Sequence, residues 1–243
     1  MEVEVEGIVL KETLYGETSK ILQVLTKEYG LISVIAKGAS SYKSSLRSLA
    51  LPFLYAKFLI NYKKDKISTL KGGKIIKLYG SGSKDIKVYA YVSYFLELTY
   101  NVLKENNDKK IFNILKDALN KIENGLNPNV IKNITEFKYL DYLGITPNLD
   151  ICQKCNLIKE PYGIDGKIGG FVCSDCYTNE IRVSKNYRKI INRFRDVDIN
   201  EINDIKLSKE DEDIIGLFLD EYYEKFSSLK LNSKKILNDL IKW

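Results

Sequence analysis

Four cysteines carry the most specific chemistry in this 243-residue chain, which has no histidine at all. They stand as two Cys-x-x-Cys pairs, Cys152-Gln153-Lys154-Cys155 and Cys173-Ser174-Asp175-Cys176. Each pair can bend over one ion and the loop between them can bring the pairs together, the pattern of a four-thiolate zinc site. Tetrahedral zinc takes soft ligands at about 2.3 Å, and the chain supplies four thiolates with none left over. Gly163, Gly166, Gly169 and Gly170 fill the loop, where tight turns favour residues tolerant of positive φ. A lost metal, a disulfide, or redox use of one pair are the alternatives. Four thiolates close the coordination sphere to water, so the zinc reads as structural and not catalytic. Such a site folds a small knuckle, with metal binding worth about 10–16 kcal/mol near neutral pH.

The rest of the chain must position that knuckle and supply any further function. Its length is enough to bury most of its unfolded surface without staples, in two or three modest domains. No run of about 18 apolar residues is present, so no membrane span is expected. Met1-Glu2-Val3-Glu4-Val5-Glu6 lacks the basic start of a secretory signal, and clustered metal-spaced cysteines suit a reducing compartment. The expected location is cytoplasmic.

Net charge is +6, and the whole excess sits in residues 1–80, which hold 13 Lys+Arg against 7 Asp+Glu. A polyanion partner for the N-terminal part follows as an expectation. Nearly all of these cations are lysine, a point charge better suited to holding phosphate than to reading bases.

Alternation of period two marks residues 1–78 as strands. Val3 and Val5 alternate with glutamates, and Gly7-Ile8-Val9-Leu10 continues the run to a turn at Tyr15-Gly16-Glu17. Residues 21–25 and 31–36 follow, separated by Glu28-Tyr29-Gly30, and then Leu54, Ala56, Phe58, Ile60 and Tyr62 share one face. Lys63-Lys64-Asp65-Lys66 is a charged turn before the last strand. Five short strands predict a small barrel. A basic, small-residue segment at 37–47, read as flexible, interrupts it. Gly80-Ser81-Gly82-Ser83 reads as a linker without the spacing of a phosphate-binding loop.

From Asp85 the period becomes helical. Apolar stripes run through Val88, Tyr91, Val92 and Phe95, through Ile111, Leu115 and Leu119, and through Ile131, Ile134, Phe137 and Leu140. Asn127-Pro128 predicts a cap with proline at the first helical position, and Gly144 the end of that helix. Ser184 and Ser208 are expected to cap two later helices, and Ser233-Lys234-Lys235-Ile236-Leu237 to open a last one.

Two ordered stretches resemble the bacterial recombination-mediator family RecO. The first comprises Glu6-Gly7-Ile8-Val9-Leu10, Tyr15-Gly16-Glu17, residues 25–30, and Ala36-Lys37-Gly38-Ala39 with Lys43-Ser44. The second runs from Leu143-Gly144-Ile145-Thr146-Pro147-Asn148-Leu149 into Cys152, and closes with Gly169-Gly170-Phe171-Val172-Cys173. Ser233-Lys234-Lys235-Ile236-Leu237 is similar to a basic segment near that family's C-terminus. Asn156 departs from the glycine usual after the second cysteine, a change that asparagine tolerates.

The resemblance implies an α+β protein: an N-terminal OB-fold β-barrel (residues 1–79), then an all-α helical bundle (80–151 and 181–243) with an inserted four-cysteine zinc finger (152–180). It also implies binding of single- and double-stranded DNA, strand annealing, partnership with RecR, and contact with the acidic tail of single-stranded DNA-binding protein. On that reading Lys20, Lys37, Lys43, Arg47 and Lys57 line a basic groove with Tyr42 as a stacking platform. Lys234 and Lys235 beside Ile236 and Leu237 are the expected contact for the acidic tail. An enzyme is disfavoured, because the commonest general base is missing and four thiolates leave no site for water. An RNA-binding or protein-bridging zinc adaptor is the competing reading.

Overall fold

A computed structural model describes residues 1–83, 85–204 and 207–241. The chain divides into two compact units, Met1–Asn124 with Leu231–Trp243, and Gly125–Lys230.

The first unit opens with β1 (Glu2–Tyr15), β2 (Ser19–Thr26), β3 (Gly30–Ala36), β4 (Leu54–Asn61) and β5 (Ser68–Leu78). They close as a barrel in the order β1-β2-β3-β5-β4, the expected OB arrangement. Alternation sends Val5, Val9, Leu22, Val24, Val34, Ala56, Phe58 and Ile60 inward to one core. The pairing of β4 with β5 shifts register between Tyr55 and Ala56 and again between Leu59 and Ile60.

Helices α1 (Ile86–Glu105) and α2 (Ile111–Glu123) belong to this unit, as does α6 (Asn232–Ile241). Asp85 caps α1 by accepting the Lys87 amide at 2.8 Å. α1 packs on β1 and β3, which accounts for the burial of Ile8 and Leu10 on β1 although they alternate with the barrel interior; Leu25, in register with Ile8, is buried beside them. α6 docks on α1 through its N-terminus: the Glu97 carboxylate accepts the Asn232 amide at 3.1 Å and the Ser233 amide at 2.7 Å. α1, α2 and α6 thus share a compact unit with the barrel, while the helices within Gly125–Lys230 make up the other. Apolar stripes show that a helix has a buried face, but do not say whether a helix or a sheet lies against it. The 80–83 segment is no loose linker either, since the Gly80 amide donates to Glu123 at 2.6 Å.

The second unit is built around α3 (Pro128–Tyr142). Asn127 caps it as expected, accepting the Asn129 amide at 3.0 Å, and Gly144 at φ 68° ends it. Every residue from Val130 to Phe137 is buried, including Lys132, Asn133, Thr135 and Glu136. These polar groups persist because they are paired: Lys132 with Glu136 at 3.0 Å, and Asn133 Nδ2 with the Glu212 carbonyl at 3.2 Å. α4 (Tyr187–Asp196) and α5 (Lys209–Phe226) pack on α3, and Ser208 caps α5. Asn186, not Ser184, precedes α4, and its side chain makes no cap bond. β6 (Gly163–Asp165), β7 (Gly170–Val172) and β8 (Ile181–Arg182) form the small sheet of the knuckle, in the order β7-β6-β8.

Candidate metal centre and nucleic-acid surface

The knuckle folds by local rules. Asp165 Oδ1 accepts the Lys167 and Ile168 amides at 2.7 and 3.0 Å, which turns β6 back into β7. Asn156 adopts the left-handed conformation, φ 58°, that its place after Cys155 demands, and its amide closes the first turn on the Cys152 carbonyl at 2.9 Å. The Cys176 amide closes the second on Cys173 at 3.2 Å.

These two turns present Cys152, Cys155, Cys173 and Cys176 to one point. All four Sγ atoms lie within 4.8 Å of one another, and none is in a disulfide. Sulfurs at about 2.3 Å from one tetrahedral ion would stand about 3.8 Å apart, close to the 4.0 Å between Cys155 and Cys173. Local electrostatics favour a cation. Burial opposes the charge on Cys152, yet amides of Cys173, Cys155 and Lys154 hold its thiol down to about 6. Hydrogen bonding to Cys173, followed by burial, pushes Cys176 up to about 12. A thiolate is thus welcomed at one sulfur and resisted at another, and one dication relieves that conflict for all four. The four cysteines can hold a metal ion.

Behind the sulfurs, Lys154 bridges both halves of the knuckle. Its Nζ meets Glu180 at 2.6 Å and donates to the Cys176 carbonyl at 3.1 Å. Burial alone would raise Glu180, but Lys154 and the Thr178 amide draw it down to about 2. Its contribution is therefore complete above the ordinary carboxylate value of about 4.3 and is lost as pH falls toward about 2. Glu180→Gln should lower the stability of the 125–230 unit by about 1–3 kcal/mol in urea at pH 7. The gap between variant and parent should narrow steadily below pH 4.3.

In the first unit, the basic segment after β3 is folded by its own hydrogen bonds and core contacts. It is a string of turns in which Ser41, Ser44 and Arg47 amides donate to Gly38, Ser41 and Ser44 carbonyls at 3.0–3.2 Å. Ala39, Leu49 and Ala50 anchor it in the barrel core. The Ser40 amide donates to the Thr18 carbonyl at 2.8 Å and the Gly38 amide to Ser19 Oγ at 3.3 Å, which ties the segment to the β1–β2 turn. Lys37, Tyr42, Lys43 and Arg47 are all exposed on it. Tyr42 is 88% exposed, and the Arg47 guanidinium lies 5.4 Å from its ring centroid.

The tied turn adds Leu14 and Tyr15, 71% and 55% exposed, of which the sequence pattern marked Tyr15 as a turn residue without a binding role. An apolar pair placed directly before Gly16, where alternation calls for polar residues, was the available signal. The structure does not bring Lys20 and Lys57 to this surface. Lys20 shares the parity of the inward Leu22 and Val24, so its ammonium closes the barrel mouth, pairing with Glu12 at 2.5 Å and reaching the Ala50 carbonyl at 3.3 Å. Lys57 lies mid-strand on β4, 3.5 Å from Glu4 and in register with Glu6 and Lys74. On α6, Lys234 is half-buried and Lys235 exposed, while Leu237 is buried and Ile236 faces outward, so the expected greasy pair is split between two faces.

Comparison with known proteins divides the chain after the barrel, near residue 80, and not at Gly125. Residues 1–79 match the family model for the recombination protein O N terminal, and residues 83–235 match that for the recombination protein O C terminal. The chain belongs to the RecO family. It is 31% identical over 244 residues to a DNA repair protein RecO of Bacillus pumilus, covering 99% of this chain and 95% of that protein. The DNA repair protein RecO of Bacillus subtilis is 30% identical over the same coverage, and that of Exiguobacterium sibiricum is 29% identical over 97% of this chain and 96% of its own. As a RecO family member, the chain is a DNA repair protein, and it contains no helix long and apolar enough to cross a membrane among its described residues.

Proposed function

We propose that this RecO family member is a non-enzymatic recombination mediator that binds single- and double-stranded DNA, anneals complementary strands and, with RecR, helps load recombinase onto DNA coated by single-stranded DNA-binding protein. The observation that carries the reading is the pinned segment after β3. A single-stranded site needs cations at phosphate spacing and aromatics offering a free face. Lys37, Lys43, Arg47, Tyr42 and Tyr15 are exposed on one rigid end of a barrel whose unit holds the chain's positive excess. The ion in the four-cysteine site is zinc, in a structural role, because a closed thiolate sphere leaves no place for water or substrate.

The deciding experiment is annealing of complementary strands, bare and coated with single-stranded DNA-binding protein, with RNA as competitor. Faster annealing in both formats, and preference for DNA, are expected. No acceleration together with tighter binding to RNA would instead support the adaptor reading. The acidic tail of the coating protein is assigned to α6, where Lys235 and Ile236 are exposed side by side. Lys234→Glu with Lys235→Glu should weaken tail-peptide binding about tenfold at low salt and slow annealing of coated strands, while bare strands anneal nearly as before. Equal peptide affinity by fluorescence anisotropy would move that contact elsewhere.

A further inference from the structure

Strand β5 carries an edge that the barrel leaves largely unpaired. It runs eleven residues, Ser68–Leu78, yet β3 pairs only with Ser68 and Thr69. Beyond them β4 holds one side of β5, and among the described residues no other backbone bond engages Lys71 to Lys77. Alternate amides and carbonyls of such a strand point away from its one neighbour. Ile75 and Ile76 on this stretch are 45% and 46% exposed. Lys71 and Lys74 are exposed as well, and among the described residues neither has a carboxylate partner. Lysines by themselves are the usual guard against edge pairing, but bare isoleucines beside them are not. Gly72 is equally out of place: its backbone is not left-handed, and open space surrounds the position of a Cβ. The fold does not require glycine there, whereas the close approach of another chain does. Lys74 also stands directly opposite Lys57, a like-charge pair. On its far side Lys57 is offset by β1, with Glu6 in register and Glu4 at 3.5 Å, but Lys74 has only the open edge.

We propose that the β5 edge accepts an added strand from another protein, an extended segment in which carboxylates alternate with apolar residues. Between its two register shifts β5 pairs regularly from Gly72 to Ile75, so the contact is short, a strand of about five residues. Cross-strand partners share a face, which puts Lys74 on the side of Lys57 and Ile75 on the side of Ala56. Carboxylates of the incoming segment would lie beside Lys74, and its apolar side chains beside Ile75. The fold already uses this pattern once, where Glu4 and Glu6 alternate with Val3 and Val5 against β4. Main-chain bonds then supply affinity and the alternation supplies specificity. A second copy of this chain does not fit through the same edge, because two β5 strands would crowd Lys71 and Lys74 against their own counterparts. A nucleic-acid strand would use the lysines but leave the alternation of Lys74 with Ile75 unread. This contact is independent of the DNA-binding reading of Lys37, Lys43 and Arg47.

A fluorescein-labelled octapeptide of alternating glutamate and valine is the probe, measured by anisotropy at low salt on the full chain. Saturable binding is expected. Methylating the peptide's backbone amides, which removes donors and leaves every charge in place, should weaken it about tenfold or more. Lys71→Glu with Lys74→Glu, two exposed substitutions outside the barrel core, should cost a similar factor and let a lysine–valine peptide bind instead. Lys234→Glu with Lys235→Glu on α6 should leave the glutamate–valine peptide bound as in the parent. No saturable binding, or equal affinity for the methylated and unmethylated peptides, would overturn the strand-addition contact. Loss of binding in the α6 variant would overturn it too, by moving the peptide to that helix. Tighter binding of an octathymidylate than of the peptide, abolished in the Lys71/Lys74 variant, would assign the edge to nucleic acid and overturn it likewise.

Discussion

Chelation at neutral pH should unfold the knuckle of residues 152–182 while the barrel keeps its structure. The reason is the scale of the coupling: metal binding to structural zinc knuckles is worth about 10–16 kcal/mol near pH 7, as much as the whole stability of a typical domain, about 5–15 kcal/mol. The cluster behind the sulfurs is small, Cys152, Val172 and Cys173 with Ile168 against it, and Ile164 and Phe171 are the buried apolar residues of the adjoining strands. The three-strand sheet and the Lys154–Glu180 bridge depend on the two cysteine turns being held together. Hydrogen exchange should become fast across this segment and stay slow in β1–β5, whose core contains none of these residues. Cys152→Ser with Cys173→Ser should abolish the roughly one zinc per chain expected of the parent. Metal affinity should fall with pH, because protons compete for the sulfurs. Full zinc retention by that double variant would falsify the assignment.

Reversing Lys37, Lys43 and Arg47 to glutamate should weaken single-stranded DNA binding by about a hundredfold or more at low salt. Each phosphate contact contributes about 0.7 to the slope of log K against log salt, so the slope should also flatten by about 2 if all three cations touch phosphate. Stability should hardly change, because the three side chains are exposed and the buried Ala39, Leu49 and Ala50 hold the segment in place. Lys20→Glu differs: it should destabilise the barrel mouth by breaking the half-buried pair with Glu12, a folding effect that thermal unfolding separates from binding. An unchanged salt slope in the triple variant would place the DNA contact outside this end of the barrel.

The metal site was legible because thiolate chemistry, spacing and the absence of histidine all limit the same four positions. The strands were legible too, since Leu54, Ala56, Phe58 and Ile60 alternate as a half-buried strand must. What the pattern hid was partnership. Ile8 and Leu10 belong to an outer face covered by α1, and nothing in the strand's own sequence says which element will cover it. α3 was read as a one-sided stripe, yet its polar side chains are also buried, Lys132 and Glu136 paired with each other and Asn133 with a carbonyl 79 residues away. The cations were counted correctly, but not sorted. Parity along β2 turns Lys20 toward the barrel mouth, and only the ties from Gly38 and Ser40 show which turn joins Lys37, Lys43 and Arg47.

The return of α6 to α1 has a consequence for the order in which the chain takes shape on the ribosome. Glu97 is made long before Asn232 and Ser233, the amides it caps. At about 5–20 residues per second, synthesis leaves α1 without this clasp for roughly ten seconds. During that interval the face of α1 that receives α6 stays open, while residues 125–230 can already form their own core. The unit that begins first is completed last, and a nascent chain halted near residue 230 would carry a finished second unit beside a first one still waiting for its final helix.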